Sequence, residues 1–390
     1  MESKPLNHNP IFVTKPTLPP LDDFVGSLRQ IWNSRRLTNN GTFHREFEKA
    51  LARYLGAKHV SLFCNGTIAL LTGLKALGVK GEIITTPFTF PAVPHAIEWS
   101  GCRPVFCDIE PETFTMDPDK IEPLINSKTR AIMPVHIYGH PCRVRRIKKI
   151  ADAHHLKLLY DAAHAFGVKV GRTSIFNFGD LSMASFHATK IFNTAEGGAL
   201  ITDDGRLKKE MDCFKNFAFE NEISVKGHGI NGKMNEIQAA LGLLQLQHID
   251  EQIKKSRLVA CRYRKGLADV SGIKFPDDMK DVAHNYSYFP VLVNEAEYGL
   301  SRDGLCHHLR NHHIYARRYF YPLVSRFPFY HRLPGAKESN LPVAEKISGR
   351  VLCLPLYPDL DFGAVDRIVN TIKHKPRQSK KTNCEHRNEP

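Results

Sequence analysis

From Lys58 to Asp204, short apolar runs alternate with amphipathic stretches. His59–Phe63 (HVSLF), Glu82–Thr85, Pro104–Asp108, Ala131–His136, Leu156–Tyr160, Met183–Phe186 and Ala199–Thr202 predict strands. Between them Thr67–Leu77, Ala92–Trp99, Pro118–Ile125 and the basic segment Val144–His154 predict helices. The strands are continuous Val/Ile/Leu-rich runs, the pattern of strands buried on both faces. This order predicts an α/β domain with a mostly parallel sheet flanked by helices.

After Asn235 the pattern changes. Glu236 to Arg257 (EIQAALGLLQLQHIDEQIKKSR) is amphipathic throughout and predicts one helix of several turns. At 390 residues the chain is long enough for two or three domains. The predicted division is a large domain over 11–235, a connecting helix over 236–257 and a small C-terminal α+β domain over 258–372. A disordered tail is expected over 373–390.

Hydrophobic residues make up 42% and charged residues 24%, values of an ordinary soluble globular protein. No stretch approaches the roughly 18 apolar residues of a membrane span, and Met1–Pro10 has no apolar signal core. The nine cysteines are scattered, odd in number and never spaced Cys-x-x-Cys. A disulfide framework or zinc ribbon is therefore not expected, and reduced thiols in the cytoplasm are.

The net charge is +14, and the tail carries six Lys or Arg against two Glu. Helix-turn-helix, zinc-finger and RNP signatures are missing, so nucleic acid is not the expected partner. A substrate bearing a pyrophosphate would use the same field. Metal-dependent hydrolysis is not expected either. The pairs His154-His155, His307-His308 and His312-His313 put adjacent side chains on different helical faces, and no His-Glu-x-x-His occurs.

Ligands of open α/β sheets bind beyond the carboxyl ends of the strands, so the segments following the strands carry the candidate chemistry. Asn65-Gly66-Thr67 follows HVSLF and opens a helix; its N–H groups and the Thr67 hydroxyl suit a phosphate, and it also fits an ordinary turn and N-cap. Neither Gly-x-Gly-x-x-Gly nor Gly-x-x-x-x-Gly-Lys follows the first strand, which argues against nicotinamide and P-loop chemistry. Asp161 ends the strand LKLLY, where a carboxylate needs solvent or a cationic partner such as a ring nitrogen. Lys190 lies in Ser185-Phe-His-Ala-Thr-Lys190 among small and apolar residues, where desolvation would make it an amine nucleophile. Asn231-Gly-Lys-Met-Asn-Glu reads by itself as a turn and helix start.

Together, in this order, these segments resemble the pyridoxal-phosphate-dependent nucleotide-sugar aminotransferases of the DegT/StrS family. The resemblance runs through TNNGTFHREFEKALARYLG, CNGTIALL, TTPFTF, RPVFCDIEPETFTMDP, MPVHIYGHPC, YDAAHAFGV, FGDLSMASFHATK, EGGALITDD, GINGKMNEIQAALGLLQL and LPLYP, from about Ile11 to Ile372. It implies the aspartate-aminotransferase-like fold and pyridoxal 5'-phosphate as cofactor. Lys190 matches the Schiff-base lysine that also shuttles the proton, and Asp161 the aspartate that keeps the pyridine nitrogen protonated. Gly66, Thr67 and Ser185 match the phosphate cup, and Phe90 the aromatic stacked on the ring. Asn231 matches an asparagine supplied by the neighbouring subunit, which implies a homodimer with shared active sites.

Two positions depart from the pattern. His164 stands where many relatives carry a glutamine that contacts the cofactor's phenolic oxygen, and Pro91 follows Phe90 where a small or β-branched residue is usual. Lys190 is present where the family's sugar dehydratases carry histidine, which favours transamination. FHATKIFNTAEGG, DAAHAFGV, NYSYFPV and ARRYFYPL resemble the branch that aminates C4 of dTDP-4-keto-6-deoxyglucose with L-glutamate, giving dTDP-4-amino-4,6-dideoxyglucose. The run Arg317-Arg318-Tyr319 and Tyr321 supply the candidate pyrophosphate contacts. A 3-keto sugar or a GDP-linked 4-keto-6-deoxysugar is the alternative acceptor. A non-catalytic regulator binding the cofactor or nucleic acid is the alternative outside catalysis.

Overall fold

In the computed structural model, which describes residues 9–375, a seven-stranded sheet forms the centre of the molecule. Its strands are β1 (His59–Phe63), β2 (Glu82–Thr85), β3 (Arg103–Phe106), β4 (Thr129–Met133), β5 (Lys157–Asp161), β6 (Leu181–Ser185) and β7 (Gly198–Thr202). They lie in the order β1-β7-β6-β5-β4-β2-β3. Only β7 is antiparallel to its neighbours β1 and β6. The other pairs are parallel. Successive side chains alternate between two buried cores: Ile83, Met133, Leu159 and Leu200 enter one, while Ile84, Ile132, Leu158 and Ile201 enter the other. Both faces are apolar, as the uninterrupted runs required.

Helices α1 (Leu21–Ser34), α2 (Thr42–Leu55), α3 (Gly66–Ala76), α4 (Ala92–Trp99), α5 (Val144–Ala153) and α6 (Gly205–Phe214) complete this part of the chain. The helix expected over Pro118–Ile125 is instead two 3₁₀ turns, Pro118–Lys120 and Glu122–Leu124. Pro123 is the cause: it has no N–H to give, and its ring would meet the carbonyl one turn back.

The long helix α7 spans Glu236–Leu267, ten residues beyond the expected end at Arg257. Val259, Tyr263 and Leu267 continue the apolar stripe and are buried, so nothing stops the helix there. Asn235 and Gln238 form a capping box at its start. Gly242 lets α2 pack closely, since a Cβ there would lie 2.6 Å from Phe47 Cζ. The Glu236 carboxylate, 2% exposed, accepts from Phe43 N–H at 2.9 Å and His44 N–H at 3.0 Å. It thereby caps α2, whose own N-cap, Gly41, has no side chain to do so.

A second sheet holds β8 (Ile273–Lys274), β9 (Phe289–Val293) and β10 (Val351–Leu354), antiparallel in that order. With α8 (Arg302–Asn311), α10 (Phe362–Lys373) and the second half of α7 it surrounds a third core, whereas α9 (Pro342–Ser348) buries Ala344 and Ile347 in the core of the large sheet. Phe320, Leu323, Val324, Tyr330 and Ala344 do not join that core; they pack against the large sheet. The chain is helical through Lys373, and the rest of the expected tail, 376–390, lies outside the described residues. Among the described residues no helix is long and apolar enough to cross a membrane.

Candidate active site

A cavity of about 520 Å³ opens at the carboxyl ends of β5 and β6. Lining it are Gly66, Thr67, Phe90, Asp161, His164, Ser185, Lys190, Arg317 and Tyr319, nine residues from segments far apart in the chain. This is where a mostly parallel sheet leaves unoccupied space between its helices.

One wall is the N-terminus of α3. Asn65 caps it by accepting from Ile68 N–H at 2.9 Å, which leaves the Gly66 and Thr67 N–H groups pointing out of the first turn. A Cβ on residue 66 would stand 3.1 Å from Ser185 Cβ and 3.2 Å from Met183 Sδ, so only glycine fits without displacing them. Bare N–H groups, the positive helix end and the Ser185 hydroxyl together make a cradle for a phosphate.

Asp161 ends β5 and is 5% exposed. Its carboxylate accepts one hydrogen bond, from Ala163 N–H at 2.8 Å. Burial pushes its carboxyl up to about 6, against the pull of that N–H and of Lys190. A carboxylate so placed lacks a cation. Lys190 follows β6 in the Ser185–Gly198 loop, and burial brings its amine down to about 8, opposed by Asp161 and aided by Arg317. Its amine is therefore uncharged in a useful fraction near neutral pH. Tyr288 Oη lies 3.4 Å from its Nζ.

His164 is buried and accepts from Tyr138 N–H through Nδ1 at 3.1 Å. Burial, with Lys190 beside it, holds its pKa well below the usual value. The ring is therefore neutral with its proton on Nε2, so it can donate to an oxygen. Phe90 is 52% exposed, at the rim. Pro91, with φ −53°, immediately precedes α4, a position that suits proline.

Three candidates, Tyr321, Asn231 and Arg318, are not brought into the cavity. Tyr321 packs its ring over Arg302, with the guanidinium 4.4 Å from the centroid. Asn231 is exposed and does not line the cavity of its own chain. Arg317 stacks on Tyr319 at 4.3 Å and, among the described residues, has no carboxylate partner, whereas Arg318 is engaged by Asp303 at 2.7 Å. Sequence reading did not single out Thr89, Glu196, Tyr288 and Phe320, which also line the cavity.

Comparison with known proteins identifies the family. The profile of the DegT/DnrJ/EryC1/StrS aminotransferase family matches residues 22–373. The chain is 46% identical over 364 residues to a dTDP-4-amino-4,6-dideoxy-D-glucose transaminase of Shigella dysenteriae, covering 93% of this chain and 98% of the relative. It is 45% identical to the Escherichia coli enzyme of the same name, over 95% of this chain and all of the relative. The crystal structure of DesI in the presence of its TDP-sugar product superimposes with a TM-score of 0.90 at 35% identity, covering 94% of this chain and 93% of DesI.

Aminotransferases of this family use pyridoxal 5'-phosphate, and the residues present fit it. The α3 cradle takes a phosphate that a Cβ at residue 66 would obstruct, and the buried Asp161 carboxylate matches a protonated ring nitrogen. Lys190 supplies an amine within the same walls. The chain belongs to the DegT/DnrJ/EryC1/StrS aminotransferase family.

Proposed function

We propose that the chain moves the amino group of L-glutamate to C4 of dTDP-4-keto-6-deoxy-D-glucose, giving dTDP-4-amino-4,6-dideoxy-D-glucose. The observation that carries the chemistry is the pairing, in one cavity, of an amine lowered to about 8 with a carboxylate raised to about 6. The two relatives at 45–46% identity support the choice of sugar.

When bound, pyridoxal phosphate supplies the electron sink and carries the amino group between donor and acceptor. Gly66, Thr67 and Ser185 would hold its phosphate. Asp161 would pair with the ring nitrogen and keep it protonated. His164 would donate from Nε2 to the phenolic oxygen. The Lys190 amine would take the proton from the donor carbon and deliver one to the acceptor carbon. Arg317, stacked on Tyr319, meets the substrate's anionic groups.

The working form is a homodimer in which Asn231 completes the partner's site. Two features support this reading: Asn231 is exposed, and the segment before it displays Phe217, Phe219, Ile223 and Val225, each at least 43% exposed. Exposed apolar residues clustered in one short segment suit a protein interface. The test is product analysis by mass spectrometry with ¹⁵N-glutamate and a panel of dTDP- and GDP-linked keto sugars. Label is expected at C4 of the dTDP sugar. Label only in a GDP sugar, or only at C3, would refute the substrate assignment.

A further inference from the structure

Lys190 is contacted from the other sheet by a turn that the chemistry above does not use. Tyr288 stands immediately before β9 and is 7% exposed. Its hydroxyl lies 3.4 Å from Lys190 Nζ, and its ring centre is 4.5 Å from the His164 ring.

The turn leading to it is fixed. Asn285, wholly buried, donates through Nδ2 to His164 O at 2.8 Å and to Phe166 O at 2.9 Å. Its Oδ1 accepts from Ser287 N–H at 3.3 Å. Gly139, at φ +89°, makes room for it, since a Cβ there would sit 2.5 Å from Asn285 Oδ1. The loop after Asp161 and the turn before β9 are therefore one hydrogen-bonded unit.

We propose that Tyr288 is a positioning residue for the Lys190 amine, carried on a turn that Asn285 fastens to the loop after Asp161. The proposal rests on the reading of Lys190 as the working amine. Of the groups around that amine, an ionised Asp161 only accepts hydrogen bonds, and Arg317 only donates them. Neutral His164 presents a donor, while His187 and Glu196 lie further out in the same cavity. A phenol does both. It accepts from the ammonium and donates to the free amine, so it holds Lys190 through its whole proton cycle with no bond to Tyr288 made or broken. Burial keeps the phenol protonated throughout.

The test compares Tyr288→Phe, which keeps the ring, with Tyr288→Leu, which removes it. Each is followed by the pH dependence of pyridoxal phosphate uptake by cofactor-free protein and by kcat and KM. Losing a hydrogen bond that is stronger to the ammonium than to the amine should move the uptake midpoint of Tyr288→Phe about half a pH unit lower. Its kcat should fall about tenfold with KM nearly unchanged. A Tyr288→Phe protein matching wild type in both, with loss only in Tyr288→Leu, would mean the ring merely packs and would overturn the proposal. If wild type itself takes up no cofactor at Lys190, the functional reading falls and the proposal with it. That result is distinguishable, because it appears before any substitution.

Discussion

Replacing Asp161 by asparagine should stabilise the cofactor-free protein while crippling the enzyme. The carboxyl rises from its usual 3.8 to about 6 because it is buried with a single N–H donor. Two pH units at about 1.4 kcal/mol each give a cost of about 3 kcal/mol for keeping the charge in the folded state at pH 7. Asparagine keeps an oxygen for Ala163 N–H and carries no charge. It loses the attraction to Lys190, so a net gain of about 1–3 kcal/mol is expected. The sign fixes the pH window. Below pH 4 the carboxyl is protonated in both folded and unfolded chains, and the two proteins should be equally stable. Between 4 and 6 the folded chain holds the proton more tightly, so wild-type stability falls as pH rises, and above 6 the full cost is present. Urea unfolding of both cofactor-free proteins from pH 4 to 8 measures this. Saturating pyridoxal phosphate should shrink or reverse the difference, because only wild type gains a ring-nitrogen partner. An Asp161→Asn protein no more stable than wild type at pH 7, or a difference that ignores pH, would refute the reasoning.

Further outcomes follow from other parts of the molecule. Gly66→Val should weaken pyridoxal phosphate binding at least about tenfold, measured by equilibrium titration, because the new side chain meets Ser185 and Met183 and covers the α3 cradle. Glu236→Ala should cost about 1–3 kcal/mol in urea unfolding, since the half-buried Phe43 N–H and the buried His44 N–H of α2 lose their acceptor. Lys190→Ala and Asn231→Ala should each be inactive as pure dimers. Mixed after dissociation they should recover about a quarter of wild-type activity, because half the dimers then carry one intact site; no recovery would place both residues in one chain's site.

The sheet was legible because strands buried on both faces leave unbroken apolar runs, and β1 and β2 carry the expected bounds. Legibility failed where a local pattern was decided by one residue or by a distant core. Pro123 broke an otherwise helical stretch, and the apolar stripe past Arg257 gained meaning only from the third core it enters. Within the site, Asp161, Lys190 and the Gly66 turn follow strand ends and could be found by that rule. Tyr288 could not, since it precedes a strand of the other sheet and reaches Lys190 only through the fold. Tyr321 shows the converse. It shares a short run with Arg317 and Tyr319, yet the backbone turns its ring onto Arg302.

One cavity takes an amino group from glutamate and gives it to a dTDP-linked 4-keto sugar, and a visible spectrum followed through both half-reactions reports both transfers. Protein loaded with pyridoxal phosphate should show the band of the lysine-linked cofactor, lose it on adding glutamate, and regain it when dTDP-4-keto-6-deoxyglucose is added after the donor is removed. A band that never forms, one that glutamate leaves untouched, or one that this sugar fails to restore would refute transfer between these two substrates.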